Sequence, residues 1–453
     1  MSVISLSFLG LAGISSIAVW AFGGKLRPVL IAVFNLCFLA MFSRQLDWIY
    51  AAALIAVTWA GAMAIRHFRT RSAMILSILI PIIGLLCFKY LNAFTPSHLI
   101  APIGLSFYTF KAISYLVDFC EGKTACTDLL YVFDYLAFFP AFMAGPISRC
   151  ESFFEELQKP FRFDYRDQKN GAFQAACGVF EKMVIADELS YVSGAFLKSG
   201  QTGWYLSLGM ILYSFYIYSD FDAYSNIAIG IARMLGFHLE PNFHCPYLAE
   251  NLREFWHRWH ISLSTWLRDY IYIPLGGNRH GTLQRYLNIL AVFLVSGIWH
   301  GNTIMFALWG LGHGVFMVLE DLLERKAFRR PLPSWLKPLR IALNFLIVCA
   351  LWTLFRSPDP GTAAEILQSA VHPCAVSFAA VGLTVNEAAW TVILVLLLLA
   401  TDLLRNRLDL LEAVAAQKAA VRWLLYAAMI ILVIVFGSYG IAYDPADFVY
   451  VTF

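Results

Sequence analysis

Apolar residues run through this chain in blocks approaching the roughly 20 residues a helix needs to cross a bilayer, separated by short polar connections. The blocks predict spanning helices near 4–22, 28–43, 47–65, 73–91, 99–118, 204–236, 286–300, 303–320, 339–356, 388–404 and 421–439, about 11 in all. The 204–236 block is long for one crossing and reads as a tilted or broken helix. Two further stretches, 131–147 and 171–195, are apolar but interrupted by proline or charge. They read as re-entrant or interfacial segments, which persist at depth only where protein shields the backbone. The expectation is an all-α polytopic membrane protein, a single domain over 1–453.

One stretch breaks the pattern. "NLREFWHRWHISLSTWLRDYIYIPLGGNR" (251–279) carries too much charge to span. Its Trp256, Trp259, Leu263, Trp266 and Tyr270 recur at spacings of three and four, an aromatic face predicting one amphipathic helix at the membrane interface. Glu254, Arg258, Thr265 and Asp269 take the other side, with Glu254 and Arg258 placed as an i,i+4 pair. Pro274 and Gly276-Gly277 end the helix. His260 falls at the aromatic edge and is expected to be buried.

Composition excludes a soluble enzyme: only 14% of residues are charged and 60% are hydrophobic, where soluble chains carry about a quarter charged. A net charge of +3 gives no case for nucleic acid. The nine cysteines are scattered without paired metal-ligand spacing, so neither a metal centre nor a disulfide framework is expected. The first block lacks a basic n-region and a cleavage site, and reads as a retained helix. Connections 23–27, 66–71, 324–340 and 405–422 are rich in Lys and Arg. Placing them in the cytoplasm puts both termini outside.

Against this background a few polar residues stand out. His300 ends "VSGIWH", His313 sits in "GLGHG", and Asp220, Asp222 and Asn226 lie in "YSDFDAYSNIAIG". Ionisable groups at depth are functional candidates by default. The three in 218–230 do not share one helical face, and Asp220 and Asp222 read as structural hydrogen-bonding groups. From 286 to 300 a helix rises about 22 Å, short of a hydrocarbon core about 30 Å thick, which places His300 inside the outer half of the membrane. On one continuous helix His300 and His313 would be about 20 Å apart. Only a break at Gly301-Asn302 lets them share a site.

These segments are similar to a known family. "FWHRWHISLSTWLRDYIYIPLGGNR" (255–279), then "SGIWHG" and "WGLGHG", resemble the membrane-bound O-acyltransferase (MBOAT) family, in particular its bacterial branch of alginate O-acetylation membrane proteins. "PIGLSFYTFKAISYLVD" (102–118), "FFPAFMAGPISR" (138–149) and the tail "DFVYVTF" extend the resemblance over most of the chain beyond residue 100. It implies the MBOAT fold, with a central funnel, in the bacterial inner membrane. Acetyl-CoA would be the cytoplasmic donor substrate, with no cofactor, and an extracytoplasmic cell-envelope polysaccharide the acceptor. A periplasmic partner of the SGNH-hydrolase type would complete the transfer, and membrane lipids would surround the chain.

By that resemblance His300 is the catalytic residue and His313 a second candidate. A thioester is already activated, so the task is to align a hydroxyl and remove its proton, which suits an imidazole whose ordinary pKa is about 6.5. Asp269 or Asn302 is a candidate to orient the ring. Trp256, Arg268, Tyr270 and Trp299 are candidates for the donor channel, with Arg268 meeting coenzyme A phosphates and Arg258 structural. Relatives usually read "DFSGYSD" where this chain has "DFDAYSN" (220–226), often carry Arg at the position of His257, and end differently from "VYVTF". Two other functions compete: D-alanyl transfer from a carrier protein to teichoic acid, whose enzymes tend to lack "PLGGNR" (274–279), and a transporter using His and Asp as a proton relay.

Overall fold

The computed structural model describes residues 3–94, 101–159, 162–198, 200–326 and 333–439, and all regular structure among them is helical. The chain divides into two compact units. Among the described residues, one holds those up to Val179 with Ala223–Pro241, the other Phe180–Asp222 with residues 242–439.

The first unit begins with α1 (Leu6–Phe42), interrupted at Gly24, whose φ of 28° and ψ of −123° are open only to glycine without strain. The Phe8 ring lies 6.1 Å from Phe38 and 5.9 Å from Phe42, whereas a straight helix would separate residues 8 and 42 by about 50 Å. α1 is therefore a hairpin, and its arms are the two blocks 4–22 and 28–43. The basic connection between them is not a solvated loop. Arg27 is buried and donates to the carbonyls of Glu156, Leu235 and Gly236 at 2.6, 3.0 and 2.9 Å.

α2 (Gln45–Phe68), α3 (Arg71–Phe94) and α4 (Leu105–Cys120) follow. The first residues of the 99–118 block lie outside the described residues. After α5 (Leu129–Ala137) the backbone turns irregular, and Phe138 through Ile147 are all buried. That shielding by protein is what an interrupted apolar segment requires. α6 (Cys150–Gln158) and α7 (Tyr165–Phe180) complete the early helices, and a π-helical stretch, Glu181–Ala186, leads from α7 into α8 (Asp187–Phe196). α9 (Trp204–Met234) is one unbroken helix of 31 residues. Its C-terminal part belongs to the first unit, where Arg233 pairs with Asp167 at 2.8 Å and Asn226 accepts from Gln174 at 3.2 Å.

In the second unit the carboxylates of α9 find cations. Asp220 meets Lys182 Nζ at 2.7 Å, Lys182 also reaches Asp187 at 2.9 Å, and Asp222 meets Arg405 at 2.7 Å. The structural reading of both aspartates stands. Removing one partner of a buried pair leaves an uncompensated charge, which costs about 3–5 kcal/mol. Lys182→Met is expected to destabilise by that amount in detergent melting or denaturant titration. The double variant with Asp220→Asn should recover part of the loss.

The expected interfacial helix over 251–272 is a different object. It breaks into α10 (Leu252–Arg258) and α11 (Ile261–Leu267) at Trp259-His260, where His260 is left-handed at φ 42°. The cause is tertiary. Asn242 pins the start of α11, its carbonyl accepting from Ile261 N at 2.9 Å and its side chain from Ser262 Oγ at 2.6 Å. Trp256, Trp259, Leu263 and Trp266 are all buried in protein. His260 is buried as expected, edge-on to Phe221 at 4.7 Å, and burial pushes its imidazole down to about 3. A π-helical stretch, Arg268–Tyr272, and positive φ at Gly276 and Gly277 end the segment.

α12 (Gly281–His300) and α13 (Ile304–Lys326) form a helical hairpin, followed by α14 (Lys337–Arg356), α15 (Pro360–Ser369), α16 (Val385–Arg405), α17 (Leu410–Ala415) and α18 (Ala419–Phe436). α12 starts five residues before the expected 286. Its 20 residues rise about 30 Å, a full crossing. His300 is thus the last residue of a helix long enough to cross, rather than of a short one. Eight helices among the described residues are long and apolar enough to cross a membrane. The difference from the expected count lies in α1, whose two arms count once, in α4, which has only 16 residues, and in α9, which carries the aspartates. The protein is a multi-pass membrane protein.

Candidate active site

Two glycines let α12 and α13 touch. A Cβ on Gly310 would overlap the Phe293 carbonyl oxygen, and one on Gly297 the Phe306 carbonyl oxygen. The chain reverses over Gly301–Thr303, the break that would allow His300 and His313 to share a site. Both imidazoles now flank Trp309: the His300 ring is 4.9 Å and the His313 ring 5.2 Å from that indole, each edge to face. Trp299 at 4.5 Å and Phe355 at 5.4 Å complete the surround of His300, which is 3% exposed.

His313 is fully buried, and its Nδ1 accepts from Trp256 Nε1 at 3.3 Å. An accepting Nδ1 places the proton on Nε2, and that nitrogen has no partner among the described residues.

A cavity of about 430 Å³ is lined by Trp256, whose indole bonds His313, and by Ser296, four residues before His300, while neither histidine lines it. Its polar lining includes Arg253, His257, Arg268, Arg285 and Asp321. The Asp321 carboxylate gathers Arg253 at 2.9 Å, the Tyr286 hydroxyl at 2.7 Å, and Arg285. The walls are mostly apolar, with Ile289, Val292 and Phe293 from α12, Met317 from α13, and Trp256 from α10, interrupted by the hydroxyls of Ser264, Thr265 and Ser296. The α12 residues follow the spacing of one helical stripe. His300 continues it, four residues and about 6 Å of rise past Ser296.

Of the residues singled out in the sequence, Trp256 and Arg268 line the cavity, and Trp299 lies against His300. Tyr270 packs against Trp266, ring centres 5.2 Å apart and tilted by 43°, while Tyr272 is the tyrosine in the cavity wall. Asp269 pairs with Arg268 at 2.8 Å, and Asn302 stands exposed in the turn. Arg258 is held by Glu254 at 2.7 Å and Asn406 at 3.3 Å, a structural placement. Sequence reading missed Arg253, Arg285, Asp321, Ser296 and Trp309. Arg285 and Asp321 look like ordinary helix-end charges until the hairpin pairs them, whereas Trp309 sits inside a quoted motif, "WGLGHG".

Residues 121–356, which contain both histidines and the whole cavity, match the MBOAT, membrane-bound O-acyltransferase family. The chain belongs to this family. It is a membrane-bound O-acyltransferase. It is 34% identical over 379 residues to the "Probable alginate O-acetylase AlgI" of Pseudomonas aeruginosa, covering 78% of this chain and 70% of that protein. It is also 34% identical over 313 residues to the "Peptidoglycan O-acetyltransferase" of Helicobacter pylori, covering 61% and 58%. A "Teichoic acid D-alanyltransferase" of Bacillus subtilis is 28% identical over 280 residues, covering 57% and 70%. α1 to α4 and α15 to α18 lie outside the matched family segment.

Proposed function

We propose that this acyltransferase takes acetyl groups from acetyl-CoA at the cytoplasmic face and delivers them for O-acetylation of an extracytoplasmic cell-envelope polysaccharide, with His300 as general base. One observation carries the reading: Arg285, Ile289, Val292, Phe293 and Ser296 of α12 line the cavity as one helical stripe, and His300 is the next position on it. Arginine forks suit the phosphates of a coenzyme A donor, and the apolar throat suits its pantetheine arm. The thioester then comes to the Ser296 level, one helical turn from the imidazole.

As the acceptor oxygen attacks the thioester carbon, His300 takes the hydroxyl proton. The tetrahedral intermediate collapses with cleavage of the carbon–sulfur bond. The departing thiolate receives the proton from the imidazolium and leaves as free coenzyme A. His313, fixed by Trp256, supports the aromatic wall behind this reaction, and Arg268 with its partner Asp269 stands at the donor end. Asn302, exposed in the turn after His300, is placed to meet the acceptor.

The excess of Lys and Arg in the connections supports a cytoplasmic placement for them and the inner membrane as the location. Two relatives whose names specify O-acetylation support the acyl group. A separate periplasmic protein of the SGNH-hydrolase type is the proposed carrier of acetyl groups to the polymer. The more distant D-alanyltransferase likeness gives the alternative its place in the test.

Purified protein in nanodiscs is to be supplied with labelled acetyl-CoA or, separately, with a D-alanyl carrier protein. Release or transfer of label from acetyl-CoA, absent in His300→Ala, is the expected result. D-alanyl turnover with an inert acetyl-CoA would overturn the donor. Proton-coupled flux of a solute without acyl turnover would point to transport.

A further inference from the structure

We infer that Trp256 sets the length of acyl group that the cavity admits, so that a two-carbon thioester fits and longer ones are turned away. This rests on the donor reading given above. The cavity follows α13 through Asp321 and Met317, and His313 is the next position on that helical stripe, four residues deeper. His313 is nevertheless fully buried. The Trp256 indole lies over it, filling the space into which the cavity would otherwise extend.

The indole is not free to swing aside. Its Nε1 donates to His313, and its ring packs 5.1 Å from Phe293 and 6.0 Å from Trp309, with only 8% of the residue exposed. A side chain fixed on three sides is a hard boundary. Extra methylenes at the acyl end must overlap it or displace the thioester from Ser296. In an apolar pocket one methylene changes selectivity by about 10–200-fold.

The test uses full-length protein in nanodiscs and thioether analogues of acetyl-, propionyl- and butyryl-CoA, whose binding is titrated calorimetrically. Wild type is expected to bind the acetyl analogue at least about tenfold more tightly than the butyryl one. In Trp256→Ala that ratio should fall towards one. Trp256→Phe, which keeps a ring but loses the bond to His313, should retain most of the preference. Where the alanine variant fails to fold, Trp256→Leu supplies the smaller side chain. An unchanged ratio in a folded Ala or Leu variant overturns the selector, as does a wild type that binds all three equally. A wild type that binds none of the analogues overturns the donor reading itself, and the selector with it.

Discussion

Replacing His300 with alanine is expected to lower acyl transfer by about 10²–10⁴-fold, the usual worth of a positioned general base. The effect should fall on kcat. The donor cavity ends a helical turn short of His300, so the KM for acetyl-CoA should change little. His300→Gln is the informative companion, because it keeps polarity and much of the volume among Trp299, Trp309 and Phe355 but cannot accept a proton at neutral pH. The glutamine variant should melt near wild type, and the alanine variant lower because it leaves a cavity among those rings. Initial rates at saturating donor, alongside thermal melting, check the claim. A folded glutamine variant with wild-type kcat would leave the imidazole a packing group.

The second large effect is expected at Gly310. A valine there drives its Cβ into the Phe293 carbonyl and to 3.0 Å from the Gly297 backbone. Backbone cannot rotate away as a side chain can. The hairpin must separate, at a cost of about 1–3 kcal/mol or more. Because α12 and α13 carry both histidines and much of the cavity wall, the same separation should abolish activity even in the molecules that stay folded. Gly314→Ala provides the contrast, since its nearest neighbours are the Leu290 and Phe293 side chains, each at 3.2 Å, which can adjust. The expected order of melting temperature and of activity is wild type, then Gly314→Ala, then Gly310→Val. Reversal of the last two would mean that the close approach at Gly310 does not hold the hairpin together.

Much of this architecture is legible because apolar run length is a blunt and dependable signal in a bilayer. Each predicted span corresponds to a helix or to one arm of a helix. The turn after His300 is visible in "GNT", and the stop after Tyr272 in its glycines. What the sequence conceals has identifiable causes. The aromatic spacing of 255–270 continues smoothly through Trp259-His260, so periodicity gives no warning of the break. Its cause is Asn242, nearly twenty residues upstream. Arg27 reads as an ordinary loop cation, yet carbonyls near the ends of two distant helices claim it. The polar residues "TLQR" (282–285) conceal the first turn of α12, and with it the full length of the crossing. Of the candidate site, the histidines were visible and the Arg253–Arg285–Asp321 cluster was not, since its members lie far apart in the chain.

The hairpin at Gly24 has a bearing on parity. Because Phe8 lies beside Phe42, the chain enters and leaves α1 at the same membrane surface. A straight rod of 37 residues would instead deliver the chain to the opposite surface, and α2 would have to enter from there. One residue without a side chain thus turns what would be a single passage into a there-and-back pair.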